Sequence, residues 1–271
     1  MPTPWIIPIQ SLDDPRIAPY TRLKDRDLAR ESECFIAEGE LVVRRLLASP
    51  FPVRSLLLAD RRAAAIAPLA PPQTPIYVAS ADLVNRIVGF KFHSGVMAIG
   101  ARRPSPSLVE LAADWTDQPR TVLVLPEISK TDNLGSLIRI AAGFGVSLVM
   151  LGERCCDPFY RQAIRVSMGA VFRLPILRCV NLASDLMLLR DSLSTELAAA
   201  VVAPDAQPLA AAARPRRLAI LLGNETTGLA PDHLALCQRK ITIPMQLGTD
   251  SLNVAVAAAV MLYHFTQVAG R

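Results

Sequence analysis

The sequence predicts an α/β chain built in two parts, and three observations predict it. Between residues 34 and 101, short apolar runs alternate with segments of helical period. After residue 118 the strand-like runs become apolar throughout, as strands do when helices cover both faces of a parallel sheet. Between the two stretches lies "RRPSPS", residues 102–107, whose prolines and serines mark a linker. The expected organisation is a domain at 1–103, a linker at 104–117 and a second domain at 118–271.

In the first part, "CFIAEG" reads as a strand and "ELVVRRLLAS" as a helix with Leu41, Leu46 and Leu47 inward. "VRSLLLAD" and "PIYVAS" follow as strands, "ADLVNRIVGF" as a helix and "GVMAIGA" as a closing strand. In the second part the strands are "TVLVLPE", "VSLVML", "RLAILLG" and "KITIPM". "TDNLGSLIRIAAGFGV", residues 131–146, starts a helix with Asn133 as its expected cap. At roughly 100° per residue, Leu134, Leu137, Ile138 and Ala141 share an apolar face. Arg139 falls elsewhere, among Gly135, Ser136 and Gly143. A long cation beside residues with so little side chain leaves room for an approaching molecule. Ser251 is the expected cap of the last helix, with Asn253 in its first turn, and from Val254 to Leu262 that helix is apolar on every side.

Composition narrows the function classes. Apolar residues make up 51% and charged residues 20%, which is globular and not disordered. The net charge is +5, and residues 1–103 hold 14 Lys/Arg against 10 Asp/Glu, so a nucleic-acid partner is permitted. Arg22, Lys24, Arg26 and Arg30 are interspersed with Asp25, Asp27 and Glu31, which reads as a salt-bridged helix face, with an RNA-facing edge as the sharper alternative. Five cysteines without a CxxC pair fit a reducing cytoplasm, and three scattered histidines give no zinc signature, so no metal is expected. Neither GxxxxGK[ST] nor GxGxxG occurs, which disfavours ATPases and dinucleotide-dependent dehydrogenases. "MPTPWIIPIQ" lacks a signal-peptide pattern. The charge-free run Ser251–Gly270 carries Asn253, His264 and Gln267, so it reads as a buried helix and no membrane partner is expected.

Parallel sheets bind ligands beyond the carboxyl ends of their strands. Three segments qualify: "LPEISKTDNLGSLIR", "LLGNETTGLAPDH" and "IPMQLGTDSLNVAVAAAV". Each leaves an apolar strand, passes through Gly and polar residues, and enters a helix. Singly, Asn133, Glu225, Ser251 and Asn253 read as caps or turn residues. Together with Arg139 they are expected to converge at one end of one sheet. Gly223, Gly228 and Gly248 allow close backbone approach and unusual φ values there.

Residues 118–271 resemble the SpoU/TrmH class of SPOUT RNA methyltransferases. The likeness covers three motifs in order: Asn133-Leu134-Gly135 with Arg139 beyond it, Leu222-Gly223-Asn224-Glu225 through Gly228-Leu229, and Ile243-Pro244-Met245 followed by Ser251-Leu252-Asn253. "RQAIRVSMGAVFRLPI", residues 161–176, shares the family's character. Residues 20–101, through "FIAEGELVVRRLL" and "HSGVMAIG", are similar to the L30e-like substrate-binding domain often found in front.

The resemblance implies an L30e-like α/β domain followed by a SPOUT domain, with a mostly parallel sheet, helices on both faces and a C-terminal trefoil knot. It implies methyl transfer from S-adenosylmethionine to a ribose 2′-hydroxyl of structured RNA, ribosomal or transfer. Leu222, Gly223, Asn224, Gly228, Ile243, Met245 and Leu252 would hold the cofactor. Asn133, Arg139, Glu225, Ser251 and Asn253 would serve catalysis, Arg139 as general base or, since guanidinium groups keep their proton, as a phosphate or alkoxide clamp. Glu225 would orient Arg139 or another donor. The all-apolar last helix fits a homodimer through the C-terminal domain. The competing classes are a non-catalytic RNA-binding protein that keeps the fold and a SPOUT enzyme that methylates a base.

Overall fold

The computed structural model describes residues 5–21, 33–115, 118–224, 227–246 and 251–269. Its strands are β1 (Ile6–Pro8), β2 (Cys34–Glu38), β3 (Val53–Ala59), β4 (Ile76–Ala79), β5 (Val96–Ala101), β6 (Arg120–Leu125), β7 (Leu148–Leu151), β8 (Ile176–Arg178), β9 (Glu196–Ala200), β10 (Gln207–Pro208), β11 (Arg217–Leu222) and β12 (Arg239–Thr242). Its described α-helices are α1 (Ala18–Thr21), α2 (Glu40–Leu47), α3 (Asp60–Ile66), α4 (Ala81–Val88), α5 (Leu108–Ala112), α6 (Thr131–Gly143), α7 (Arg161–Val166), α8 (Leu182–Met187), α9 (Pro231–Leu236) and α10 (Val254–Tyr263). The chain divides into two compact units, Met1–Pro104 with Phe159–Arg173, and Ser105–Pro158 with Leu174–Arg271.

The first unit holds a five-stranded sheet in the order β1-β4-β3-β5-β2. β4 runs parallel to β1 and β3, whereas β5 runs antiparallel to β3 and β2. Because β5 is paired on both edges and packed on both faces, every one of its residues is buried. Helix α4 has clear punctuation: Ser80 accepts a hydrogen bond from Leu83 N, and Gly89 ends the helix at φ +80°. Helix α2 turns a different face inward from the one its leucines suggest. Val42, Val43 and Leu46 form the buried stripe, and Leu41 is 46% exposed, because its direction lies on the far side of that stripe.

Phe159–Arg173 belongs to this first unit although it lies far along the chain. Phe35 stacks on both phenylalanines of this segment, with ring centroids 5.1 Å from Phe159 and 5.4 Å from Phe172. Phe51 meets the same pair at 5.4 and 5.8 Å. The Phe35 ring lies across Gly100, its partner on β5, so closely that a β-carbon at Gly100 would come within 2.3 Å of it. Polar contacts add to the ring cluster: Arg161 Nε donates to Glu38 at 2.6 Å, and Arg45 donates to the Met168 carbonyl at 2.5 Å.

The second unit is a seven-stranded, wholly parallel sheet in the order β10-β12-β9-β11-β6-β7-β8. From β6 the chain steps outward to β7 and β8, then returns to the other side for β9 to β12. The order therefore reverses beside β6, and all carboxyl ends share one edge, which is where ligand crevices form. The apolar runs at β6 and β11 are buried after their first residue, and β7 is buried throughout. The unit opens at Ser107, which caps α5 in a reciprocal capping box with Glu110. Among the described residues, no helix is long and apolar enough to cross a membrane.

The ring cluster yields a prediction. Phe172 is 2% exposed, so Phe172→Ala should cost about 3–5 kcal/mol of stability in the first unit. Urea unfolding followed by circular dichroism measures it, and a loss under ~1 kcal/mol would show that Phe159–Arg173 is peripheral to that unit.

Candidate active site

The sequence-derived residues gather at the carboxyl edge of the second sheet in two groups. The first surrounds a cavity of about 510 Å³ beyond the ends of β9, β11 and β12. Leu222, Gly223, Asn224 and Gly228 contribute from the loop after β11. Ile243, Met245, Ser251 and Leu252 contribute from the segment between β12 and α10. The walls are mainly apolar, with Val254, Ala257 and Met261 of α10 closing another side.

Local geometry explains the loop after β11. Asn224 N donates to Gly228 O at 3.0 Å, and Gly228 N donates back to Asn224 O at 2.9 Å. Gly228 takes φ +68°, a conformation that favours glycine. A β-carbon on Gly223 would lie 2.3 Å from the Gly228 carbonyl carbon and 2.6 Å from its oxygen. Main chain thus passes against main chain, and the cavity wall here is backbone. Glu225 and Gly248 lie outside the described residues, as do Arg22, Lys24, Arg26 and Arg30.

The second group ties two helix starts together. Asn253 Nδ2 donates to Asn133 Oδ1 at 3.2 Å, across 120 residues of sequence. Two cap assignments change as a result. Helix α6 begins at Thr131, with Lys130 at the cap position, so Asn133 lies inside the first turn and does not cap it. At α10 the cap is Asn253, whose Oδ1 accepts from Ala255 N at 2.9 Å, and not Ser251. At α10 the capping side chain is also the one that makes the tertiary contact, whereas the cap position of α6 has no side-chain cap. Ser251 is exposed and faces the cavity instead.

Arg139 stands apart from both groups. It is exposed on α6, on a face away from the fully buried Leu134, Leu137, Ile138 and Ala141. Among the described residues it has no hydrogen-bond or ion-pair partner, and it is not one of the cavity-lining residues.

Several neighbours were not legible as site residues. Ala200, Val201, Val202 and Ala203 line the cavity from the end of β9, a strand whose "ELAAA" lacks the β-branched signal. Lys240 also lines it, with Nζ 2.8 Å from Asp205 Oδ2, and this ammonium holds the Asp205 carboxyl below its usual range. Cys155 shapes the loop that carries β6 into α6. Its Sγ donates to Leu125 O at 3.0 Å and accepts from Ile128 N at 3.3 Å, and burial pushes the thiol up to about 11, so it stays a donor at neutral pH. Among the described residues, no cluster of His, Cys, Asp and Glu could hold a metal ion.

The chain matches the model of the SpoU rRNA Methylase family over residues 120–263. An uncharacterized tRNA/rRNA methyltransferase of Mycobacterium tuberculosis is 41% identical over 265 residues, covering 94% of this chain and 90% of that protein. The 23S rRNA (guanosine-2′-O-)-methyltransferase of Acinetobacter baylyi is 30% identical, covering 75% of this chain and 83% of that protein. Among solved structures, the AdoMet-bound rRNA methyltransferase of Sinorhizobium meliloti shares the fold with a TM-score of 0.80 at 24% identity, covering 96% of this chain and 97% of that one.

The two roles of Asn253 can be separated by substitution. Asn253→Ala should lower stability by about 0.5–2 kcal/mol, the usual cost of losing a helix cap. Asn253→Asp keeps the acceptor for Ala255 N and loses only the donor to Asn133, so its unfolding midpoint should stay near wild type. Equal losses in both variants would place the stabilisation in the Asn133 contact and not in the cap.

Proposed function

The chain belongs to the SpoU rRNA Methylase family, and from that premise we propose an S-adenosylmethionine-dependent RNA methyltransferase that acts on a ribose 2′-hydroxyl. The observation that carries this reading is the cavity at the carboxyl ends of β9, β11 and β12. Its 510 Å³ falls within the ~300–1,000 Å³ typical of small-molecule sites, and its mainly apolar lining also carries Asn224, Thr227, Lys240 and Ser251. The close backbone approach at Gly223 and Gly228 suits a nucleoside, because a wall without side chains lets a planar ring come near the main chain. Leu222, Asn224, Ile243, Met245 and Leu252 complete the proposed cofactor site. The names of the relatives add the substrate class, ribosomal or transfer RNA.

When bound, the cofactor supplies a methyl group already activated on a sulfonium. What remains for the protein is to orient the ribose and to manage the hydroxyl proton. Asn133 and Asn253 fix the starts of α6 and α10 beside the cavity, and Ser251 presents a hydroxyl to it. Arg139 keeps its donors available for a phosphate or for the developing alkoxide. Glu225 remains the proposed partner that orients Arg139.

The division of labour follows the same reading. The first unit contributes RNA affinity and choice, and the second performs the transfer. Helix α10 leaves Val256, Val260 and Tyr263 exposed at 49, 39 and 55%, an apolar stripe that we assign to contact with a second copy in a homodimer. Five free cysteines suit a reducing cytoplasm. The C-terminal trefoil knot belongs to this reading as well.

Two measurements test it. Gly223→Val should abolish S-adenosylmethionine binding in calorimetry, because the added carbons collide with Gly228, while wild type binds and shifts in melting temperature. Absence of binding by the wild type would refute the cofactor assignment. Arg139→Ala should cut methyl transfer by ~100-fold or more with cofactor affinity and stability unchanged. Arg139→Lys separates the roles, since rescue favours a simple charge and its failure favours the planar fork. The product should be a 2′-O-methylnucleoside on nuclease digestion, and a methylated base there would move the activity to the base-directed class.

A further inference from the structure

One exposed surface of the first unit is basic and carries a partly exposed aromatic ring. Phe90 follows the end of α4 and is 37% exposed. The Arg161 guanidinium lies over one side of its ring, 4.8 Å from the centroid, and the edge of Phe92 meets it at 5.8 Å. Arg161 is held in place by Glu38, a carboxylate with 10% side-chain exposure that accepts from it at 2.6 Å. Arg165 reaches the same carboxylate only at 3.9 Å and keeps 62% of its side chain exposed. In the segment that follows Phe90, Lys91 and His93 are exposed, and Arg61 donates to the His93 carbonyl at 2.9 Å.

The charge balance around the ring is uneven. Arg61, Lys91, Arg161 and Arg165 face Glu38, already engaged by Arg161, and Asp60, which accepts from the Arg61 backbone at the margin. An aromatic ring that were only core would be covered, and a charge cluster kept only for solubility would not hold a guanidinium in register over it. Arg and aromatic planes stacked together, with flanking cations, are the elements that single-stranded nucleic acid uses: bases stack on the ring and phosphates meet the cations.

We propose that Phe90 and Arg161 form a stacking site for an unpaired base of the RNA, with Arg61, Lys91 and Arg165 engaging the neighbouring phosphates. The proposal deepens the RNA methyltransferase reading and rests on it. Residues from both sequence stretches of the first unit build the site, since Arg161 and Arg165 come from Phe159–Arg173. A fully paired helix offers no base to the ring, so the site selects loops and bulges over duplex.

Fluorescence anisotropy on the full chain tests this, with a labelled RNA hairpin carrying an unpaired loop and the blunt duplex of the same stem as probes. Phe90→Ala should weaken hairpin binding by roughly 5- to 100-fold, the range for losing one base–aromatic stack, with little effect on duplex binding. Phe90→Leu keeps apolar bulk without a flat π face and should lose as much, whereas Phe90→Trp should bind at least as well as wild type. Lys91→Ala and Arg165→Ala should each flatten the salt dependence of log K by about 0.7, while Phe90→Ala leaves that slope unchanged. Melting temperature and S-adenosylmethionine binding report folding and the second unit separately. Wild-type hairpin affinity in Phe90→Ala, with methyl transfer intact, would overturn the stacking site and leave the enzyme assignment standing. A wild-type chain that binds neither hairpin nor cofactor would overturn both.

Discussion

At the end of β11 the main chain of Gly223 runs against that of Gly228, with room for no side chain between them. Two backbone hydrogen bonds between Asn224 and Gly228 close the loop at its base, and the buried Leu222 and Leu229 anchor its two ends. The cavity depends on this contact. A loop that spread by even one methyl group would shift Leu222 from the floor and alter a wall made of peptide groups. Backbone walls have fixed donors and acceptors with no side-chain entropy to lose, which suits recognition of a planar heterocycle. The parallel sheet supplies the other half of the constraint, since seven strands of one direction deliver all their carboxyl-end loops to the same edge.

Much of this was legible in the sequence, and the reason is physical. β12 is Arg-Lys-Ile-Thr with only Ile241 buried, whereas β6, β7 and β11 announce themselves because buried parallel strands need continuous apolar runs. β9 does not, since its "ELAAA" is small and unbranched and reads equally as helix, although it is the strand that pairs with both β11 and β12. The cavity-lining residues were found because glycine and polar residues after a strand mark a loop of special shape. The helix caps were misplaced by local reasoning: Asn133 and Asn253 bond to each other, and no propensity within either segment reports a partner 120 residues away.

The membership of Phe159–Arg173 in the first unit shows the same limit at a larger scale. Its pattern of apolar and basic residues is compatible with either unit, and only the stacking of Phe159 and Phe172 on Phe35 decides. The chain therefore passes between units at Pro104–Ser105, Pro158–Phe159 and Arg173–Leu174. A cut at residue 104 would leave Phe35 without its stacking partners and Phe159–Arg173 without its sheet. Truncation at that point would therefore disturb both units, and point substitutions are the cleaner probe of the proposed division of labour.

Helix α6 shows how stability and chemistry occupy one element without conflict. Leu134, Leu137, Ile138 and Ala141 are fully buried and hold the helix to its unit. The remaining turn surface, with Ser136, Gly143 and Arg139, carries little packing. An arginine paired within the protein would have its donors committed and would need to break that pairing before meeting a substrate. Arg139 avoids this cost, because its exposed guanidinium has no partner among the described residues. A clamp role follows more simply than a base role from that arrangement. A clamp needs only available donors, whereas a guanidine base must give up a proton that guanidinium groups ordinarily keep. On the proposed reading, the proton of the ribose hydroxyl leaves to solvent as the methyl transfers, with Arg139 stabilising the oxygen that loses it.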